Sequence, residues 1–329
     1  MRGIALAGLL ASGVALALGP HTMRPSLNPE TAPATAEPVG TVAEYATAVH
    51  TASPAPSATA SPTVAATVTP SATATPEPTE APTATAVPPT AAPTTDPELR
   101  AARVPILMYH YISDPPPDAD VYRVDLSVRP RDFEDQLAYL KEAGYTSITL
   151  EDLYYYMKEG RPLPPKPIIL TFDDGYVDNY LYAFPLLRQY GFKGTFFVIT
   201  SFVDEGRGGY VSWDQLRIMH EQGMDIQSHS RTHIDLRKQS KAELVWQIVG
   251  SREAIEAQLG KEVHFFAYPF GRYDWNAIQV LYTGGYWGAV TTEGGADHNS
   301  NAPFVRRRVR IHGGDGLDKF IDVLRYYGT

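Results

Sequence analysis

The 329-residue chain contains no cysteine, which excludes disulfides, thiolate metal sites, a cysteine nucleophile and a lipidated N-terminal cysteine. Basic charge is scarce at the start: residues 1–98 hold only Arg2 and Arg24 against seven acidic side chains. Those residues carry −5 and the rest of the chain −4 of the formal −9, so neither part offers the basic face that nucleic acid requires. Aromatics are nearly absent from the same stretch, where Tyr45 is the only one between residues 20 and 98. Sixteen of the 28 prolines lie there too, from Pro20 to Pro97. A segment so poor in large apolar side chains cannot offset its ordering entropy by burial.

What is present divides the chain in three. Arg2 precedes a charge-free run of 17 residues, Gly3 to Gly19, which reads as a signal peptide or, if uncleaved, an N-terminal membrane anchor over residues 1–25. Residues 26–99 are Pro/Thr/Ala/Ser text without periodicity, with repeats such as Thr-Ala-Thr-Pro, and read as a disordered stalk. Residues 100–329 suffice for one folded domain. There, short apolar runs alternate with helical spacing. The runs predict strands over Val104–Tyr109, Thr146–Thr149, Ile168–Phe172, Gly194–Ile199, Asp225–Ser228, Val263–Tyr268, Tyr286–Thr291 and Val305–Ile311. Helices are predicted over Pro130–Ala143, Leu150–Lys158, Asn179–Tyr190, Ser212–Gln222, Lys241–Leu259 and Leu317–Tyr327. This alternation predicts an α/β domain whose mostly parallel sheet is closed as a barrel or doubly wound.

Four constellations follow predicted strands, where α/β enzymes build their sites. Thr171-Phe172-Asp173-Asp174-Gly175 places two carboxylates side by side. Both cannot be buried free ions; a divalent cation on one leaves the other as a base, although an Asp-Asp-Gly turn can equally cap the next helix. Ser228-His229-Ser230-Arg231-Thr232-His233 offers two imidazoles four apart, a spacing that on a helical turn lets them share a metal. One carboxylate and two imidazoles leave the open coordination positions a hydrolytic metal needs. Tyr268-Pro269-Phe270-Gly271 forms a turn able to present a backbone N–H and aromatic faces to a sugar, and His110 ends the first strand. His220, His264 and His298, and the run Tyr154-Tyr155-Tyr156, read as surface or packing residues. Tyr176, Trp213, Tyr273 and Trp275 could stack on sugars, and Trp287 reads as core.

In this order and spacing the motifs resemble the NodB-type polysaccharide deacetylases, carbohydrate esterase family 4. Ile106-Leu107-Met108-Tyr109-His110 and Phe133-Glu134-x-Gln136-Leu137-x-x-Leu140 resemble the branch that deacetylates poly-N-acetylglucosamine-type exopolysaccharides. The resemblance covers roughly residues 103–327 and implies a distorted (β/α) barrel of about seven strands. It implies that Asp174, His229 and His233 hold one divalent metal, commonly zinc and sometimes cobalt or nickel, with Asp173 as general base. Tyr268, Pro269, Phe270 and Gly271 would bind substrate. The implied activity is removal of N-acetyl groups from a GlcNAc-containing polysaccharide outside the cytoplasm, with no nucleic acid involved and no protein partner inferable.

The chain departs from the pattern in two places. Many relatives carry an arginine that orients the catalytic aspartate where this chain has Ala267. In Arg306-Arg307-Arg308-Val309-Arg310-Ile311-His312, strand alternation puts Arg308, Arg310 and His312 on one face, towards the barrel interior, and Arg308 is the expected substitute. The late Leu-x-His motif that supplies the general acid is reduced to Ile311-His312, and His110 competes for the role. An O-acetyl esterase acting on a glycan such as xylan, and a stalk-mounted binding domain without turnover, are the alternative functions.

Overall fold

A parallel strand is covered on both faces and so needs a continuous apolar run. Ile106–Tyr109 (β1), Pro167–Phe172 (β2) and Thr195–Val198 (β3) are such runs, buried at every residue. With Asp225–Ser228 (β4), Phe265–Ala267 (β5), Gly288–Gly294 (β6) and Arg306–Arg310 (β7) they frame the computed structural model, which describes residues 99–328. The strands follow the order β1-β7-β6-β5-β4-β3-β2, all parallel. Because β1 also pairs with β2, with Met108 opposite Thr171 and Tyr109 opposite Phe172, the sheet closes. The expected α/β barrel is observed, closed and not doubly wound. Thr146–Ser147 adds a short strand beside the start of β2, and Ala101–Arg103 pairs antiparallel with Asp297–Asn299. The predicted signal or anchor, and the stalk apart from Leu99, lie outside the described residues.

Alternation along each strand serves two cores. Leu107, Leu170, Phe196, Ile226, Phe266 and Val309 pack with helix residues such as Leu137, Leu216, Ile248 and Phe320. Ile106, Ile169, Phe197, Phe265, Ala267 and Val290 face the other way, in a second cluster with Leu150, Leu153 and Met157. Near the C-terminal ends of the strands, buried side chains turn polar: Thr171, Asp173, Ser228, His229 and Arg308.

The helices of seven residues or more are Pro130–Glu142 (α1), Leu150–Glu159 (α2), Phe184–Tyr190 (α3), Trp213–Glu221 (α4), Lys241–Leu259 (α5), Trp275–Thr283 (α6) and Leu317–Tyr327 (α7). Capping boxes Thr149/Asp152 and Ser212/Gln215 start α2 and α4. Several elements differ from expectation: the short helices Val121–Asp125 and Thr200–Asp204 and the paired strands Ala101–Arg103 and Asp297–Asn299 fall where none is predicted. The helix predicted from Asn179 begins as a π-helical turn, Asn179–Ala183, and becomes α-helical only at Phe184. Helix α6 falls where no element was predicted; Asp274 caps it, and Ala277, Val280 and Leu281 form its buried stripe.

Candidate active site

Strand β2 delivers Asp173 into the barrel, and the chain then turns through Asp174 and Gly175, both left-handed with φ 73° and 74°. Asp173 is 2% exposed, a position that an unpaired carboxylate cannot hold. Arg308, with no exposure at all, supplies the pairing: Nη1 donates to Oδ1 at 2.7 Å and Nη2 to Oδ2 at 2.6 Å. The rest of the guanidinium is also occupied, Nε by the Thr291 carbonyl at 2.9 Å and Nη1 by Thr171 Oγ1 at 3.1 Å. Burial by itself would raise the Asp173 carboxyl; the Arg308 fork outweighs it and holds the group below the usual carboxylate range.

Alternation encloses Arg306 and Arg308 and leaves Arg307 exposed between them; the irregularity lies on the facing strand, where Val290 to Gly294 of β6 span only Arg306 to Arg308 of β7. Beyond Arg308 the expected interior face is not continued by Arg310 and His312. Arg308 is enclosed, whereas Arg310 and His312 are partly exposed and both engage Asp125, at 2.6 and 2.7 Å.

Strand β4 leads into the histidine pair. Burial fixes the His229 ring, whose Nδ1 lies 2.7 Å from the Ala267 carbonyl. Nδ1 must donate there, which leaves the Nε2 lone pair facing Asp174 Oδ1 at 3.3 Å. His233 Nε2 lies 3.3 Å from the same oxygen. Asp174 Oδ1 is buried and has no hydrogen-bond partner. The three ligand atoms lie within 4.8 Å of one another. An anionic oxygen left unsatisfied between two imidazole nitrogens fits a cation, and the N,N,O donor set suits zinc and its neighbours. Burial, reinforced by the neighbouring His229, pushes His233 down to about 4, so at neutral pH its ring is uncharged and has a lone pair to give a cation.

The four-residue spacing suggested a helical turn. Residues 229–233 instead form an irregular loop, with Ser230 at φ 68° and His233 at φ 57°, and Ser230 Oγ accepts from the His233 N–H at 3.0 Å. Among the described residues six non-glycine positions have positive φ, and four of them, Asp174, Ser230, His233 and Phe270, belong to this site. Backbone of this kind costs about 1–3 kcal/mol per residue and persists where the surroundings impose it.

The Tyr268–Gly271 turn divides between buried and exposed side chains. Tyr268 and Pro269 are buried, so their side chains cannot touch a polymer. Phe270 is 54% exposed, with its ring centroid 4.5 Å from that of His233. Gly271 has φ 67°, and a Cβ there would lie 2.0 Å from Thr292 Oγ1. Gly271→Ala is therefore expected to cost at least about 2 kcal/mol, read as a lower urea midpoint, by combining a clash with a strained φ.

His110 Nε2 stands 4.0 Å from Asp173 Oδ2, and its backbone carbonyl accepts from Asn179 Nδ2 at 2.8 Å. Of the two expected acids, His110 lies beside the carboxylate and His312 on Asp125. Sequence reasoning missed Asn179, Thr291 and Asp125, and it missed Thr171, whose place two residues before Asp173 was the available signal for a shared face. Among the candidate sugar-stacking rings, Tyr176 is stacked on Tyr111 and Trp213 donates to Asp204. Tyr273 stacks on Tyr268, while Trp275 is exposed on the first turn of α6. Trp287 packs against His264 and Tyr154, as read.

The sequence model of the polysaccharide deacetylase family matches residues 160–288, which include Asp173, Asp174, His229 and His233. A poly-β-1,6-N-acetyl-D-glucosamine N-deacetylase of Staphylococcus aureus is 26% identical over 194 residues, 55% of this chain and 67% of its own. The solved structure of the Streptococcus pyogenes deacetylase PplD, in complex with acetate, superposes with a TM-score of 0.63 at 28% identity, covering 68% of this chain and 99% of that one. A Bacillus cereus polysaccharide deacetylase superposes with a TM-score of 0.60 over 68% of this chain. With 31% identity sustained over 69% of the Bacillus cereus protein, and the family's own pattern laid across the strands that carry the site, this chain is a member of the polysaccharide deacetylase family.

Proposed function

We propose that this chain hydrolyses N-acetyl groups from a GlcNAc-containing polysaccharide outside the cytoplasm, using one divalent cation held by Asp174, His229 and His233. The observation that carries the reading is the division of labour between adjacent carboxylates. Asp174 aims an unsatisfied oxygen at two imidazoles, while Arg308 holds Asp173 apart from them, ionised and fixed. When bound, a zinc-class cation supplies Lewis acidity that polarises the acetamide carbonyl and acidifies a water molecule.

The chain's own residues do the rest. Asp173 takes the proton of the attacking water, its orientation set by the two-pronged Arg308 contact. In the Tyr268–Phe270 turn the Tyr268 N–H is committed to the Val290 carbonyl and Pro269 has none, which leaves the Phe270 N–H to stabilise the developing oxyanion. The departing sugar amine needs a proton; burial lowers His110 and keeps its imidazole neutral, so His110, 4.0 Å from Asp173, is positioned to pass on the proton that Asp173 has taken from the water. Arg308 supplies the contact that Ala267 cannot, which favours turnover over a binding-only domain. The S. aureus relative's name supports an exopolysaccharide substrate. Residues 1–25 are proposed as the export segment or anchor and 26–99 as a spacer; among the described residues no helix is long and apolar enough to cross a membrane.

Acetate release by the full chain, loaded with zinc or cobalt, tests the reading on GlcNAc oligomers of β-1,4 and β-1,6 linkage beside O-acetylated xylan. Acetate from the N-acetylated oligomers is expected. Release from xylan alone would establish an O-acetyl esterase instead, and none from metal-loaded protein would leave a binding domain. His229→Ala is expected to weaken zinc at least about 100-fold, measured by competition with a chromophoric chelator, and unchanged affinity would remove His229 from the ligand set.

A further inference from the structure

Strand β7 buries a second arginine. Arg306 is 3% exposed, and its Nε and Nη1 have no hydrogen-bond partner. Arg308 shows what such a guanidinium requires: its fork is filled by a carboxylate and its remaining donors by Thr171 and Thr291. Arg306 has no counterpart. Two carboxylates share a cleft with it, but Asp297 is taken by Arg103 at 2.8 and 2.9 Å, and Glu293 stands 3.7 Å from Arg307. Burial lowers Arg306 only to about 10, so it is cationic at neutral pH. A buried charge without a partner is costly and calls for an occupant.

On its other side Arg306 lines a cleft of about 400 Å³ with Arg100, Tyr154, Lys158, Tyr282 and Trp287, within the size range of small-ligand sites. No acidic residue lines this cleft, although the chain as a whole is acidic. Arg100 donates to the Met157 and Lys158 carbonyls at its edge, and Ser300 and Asn301 add hydrogen-bonding groups. Tyr282 is 68% exposed and offers its ring to a ligand. The cleft belongs to the opposite end of the barrel from the Asp/His site: Arg306 is the first residue of β7 and Trp287 immediately precedes β6.

We propose that this cleft binds a carboxylate-bearing sugar unit, with the carboxylate seated on the Arg306 fork and the ring against Tyr282. A planar guanidinium matches a carboxylate bidentately, as Arg308, two residues along β7, does with Asp173. The sugar half of the assignment rests on the polysaccharide reading; the anion half does not. Such a site would hold the domain on an acidic polymer while the other end of the barrel works on N-acetyl groups.

Titration calorimetry of the full chain tests this with a glucuronate oligosaccharide, inorganic phosphate and a neutral GlcNAc trimer. Saturable binding of the glucuronate is expected, weakened about tenfold or more in Arg306→Met, while any GlcNAc trimer bound at the Asp/His end is unaffected by that variant. The same variant is expected to melt at an equal or higher temperature, because it removes a buried charge that nothing balances. If Arg306→Met does not fold, Asn301→Asp, at an exposed position on the cleft, is expected to weaken the glucuronate several-fold by repulsion. No saturable glucuronate binding, or binding unchanged in the variants, overturns the proposal, as does a lower melting temperature of Arg306→Met with Asn301→Asp silent. Phosphate bound in preference to glucuronate overturns the sugar assignment. None of these readouts uses acetate release, so failure here and failure of the deacetylase reading are distinguishable.

Discussion

Asp173→Asn is expected to lower turnover about 10³-fold, within the range a general base contributes, while zinc remains at Asp174, His229 and His233. An amide cannot accept the water proton, and its Nδ2 would face an Arg308 nitrogen that already donates. The substitution therefore breaks a buried pair as well as a catalytic role. Up to about 3–5 kcal/mol of stability should be lost with it, since Arg308 is left without its counter-charge. The two effects separate in measurement: acetate release reads the first, the urea midpoint the second, and elemental analysis shows that metal is retained. Near-normal turnover would dismiss Asp173 as the base.

Arg308→Met attacks the same fork from the other side. With its counter-charge gone, burial acts on Asp173 against only the lesser pull of His229 and His110, and its carboxyl rises. About 3–5 kcal/mol of stability is again at stake. In the native chain the folded value is depressed, so the contribution of Asp173 to stability is fully present above the unfolded carboxylate value of about 3.9 and is lost as pH falls through the lower folded value. In Arg308→Met the acid limb of the turnover profile should move to higher pH, and raising the pH should recover part of the rate. A variant that merely loosens the barrel would lose rate at every pH. The double variant with Asp173→Asn should be less destabilised than the sum of the singles; strict additivity would mean that the fork carries no coupling.

Much of the architecture was legible because periodicity and punctuation agreed. Helices α5 and α7 and strand β4 run over the predicted residues, α5 between the Ser240 cap and Gly260. Helix α6 carries the same signals, with Asp274 as its cap and Ala277, Val280 and Leu281 at helical spacing, but Tyr273 and Trp275 beside the cap read equally well as sugar-stacking aromatics of a loop. At the site, residue types and their places after strands suffice to bring Asp173, Asp174, His229 and His233 together. Spacing cannot reveal the shape of the backbone between them, because four apart describes a helical turn and an irregular loop equally well. Nor can it reveal which partner each arginine finds: alternation treats Arg306, Arg308 and Arg310 alike, yet Arg308 is enclosed on Asp173 while Arg310 reaches Asp125. Tyr268 looked available to substrate because an aromatic beside proline suggests a rim, yet its ring is stacked on Tyr273 and buried.

The group that orients His229 is the main-chain carbonyl of Ala267, and every amino acid has one. No side-chain substitution at position 267 can delete it. The tautomer of that imidazole is thus insured by the path of β5, whereas the orientation of Asp173 hangs on a single replaceable arginine from β7. The histidine half of the site should survive sequence drift as long as the barrel keeps its register. The aspartate half is where such a domain would first fall silent.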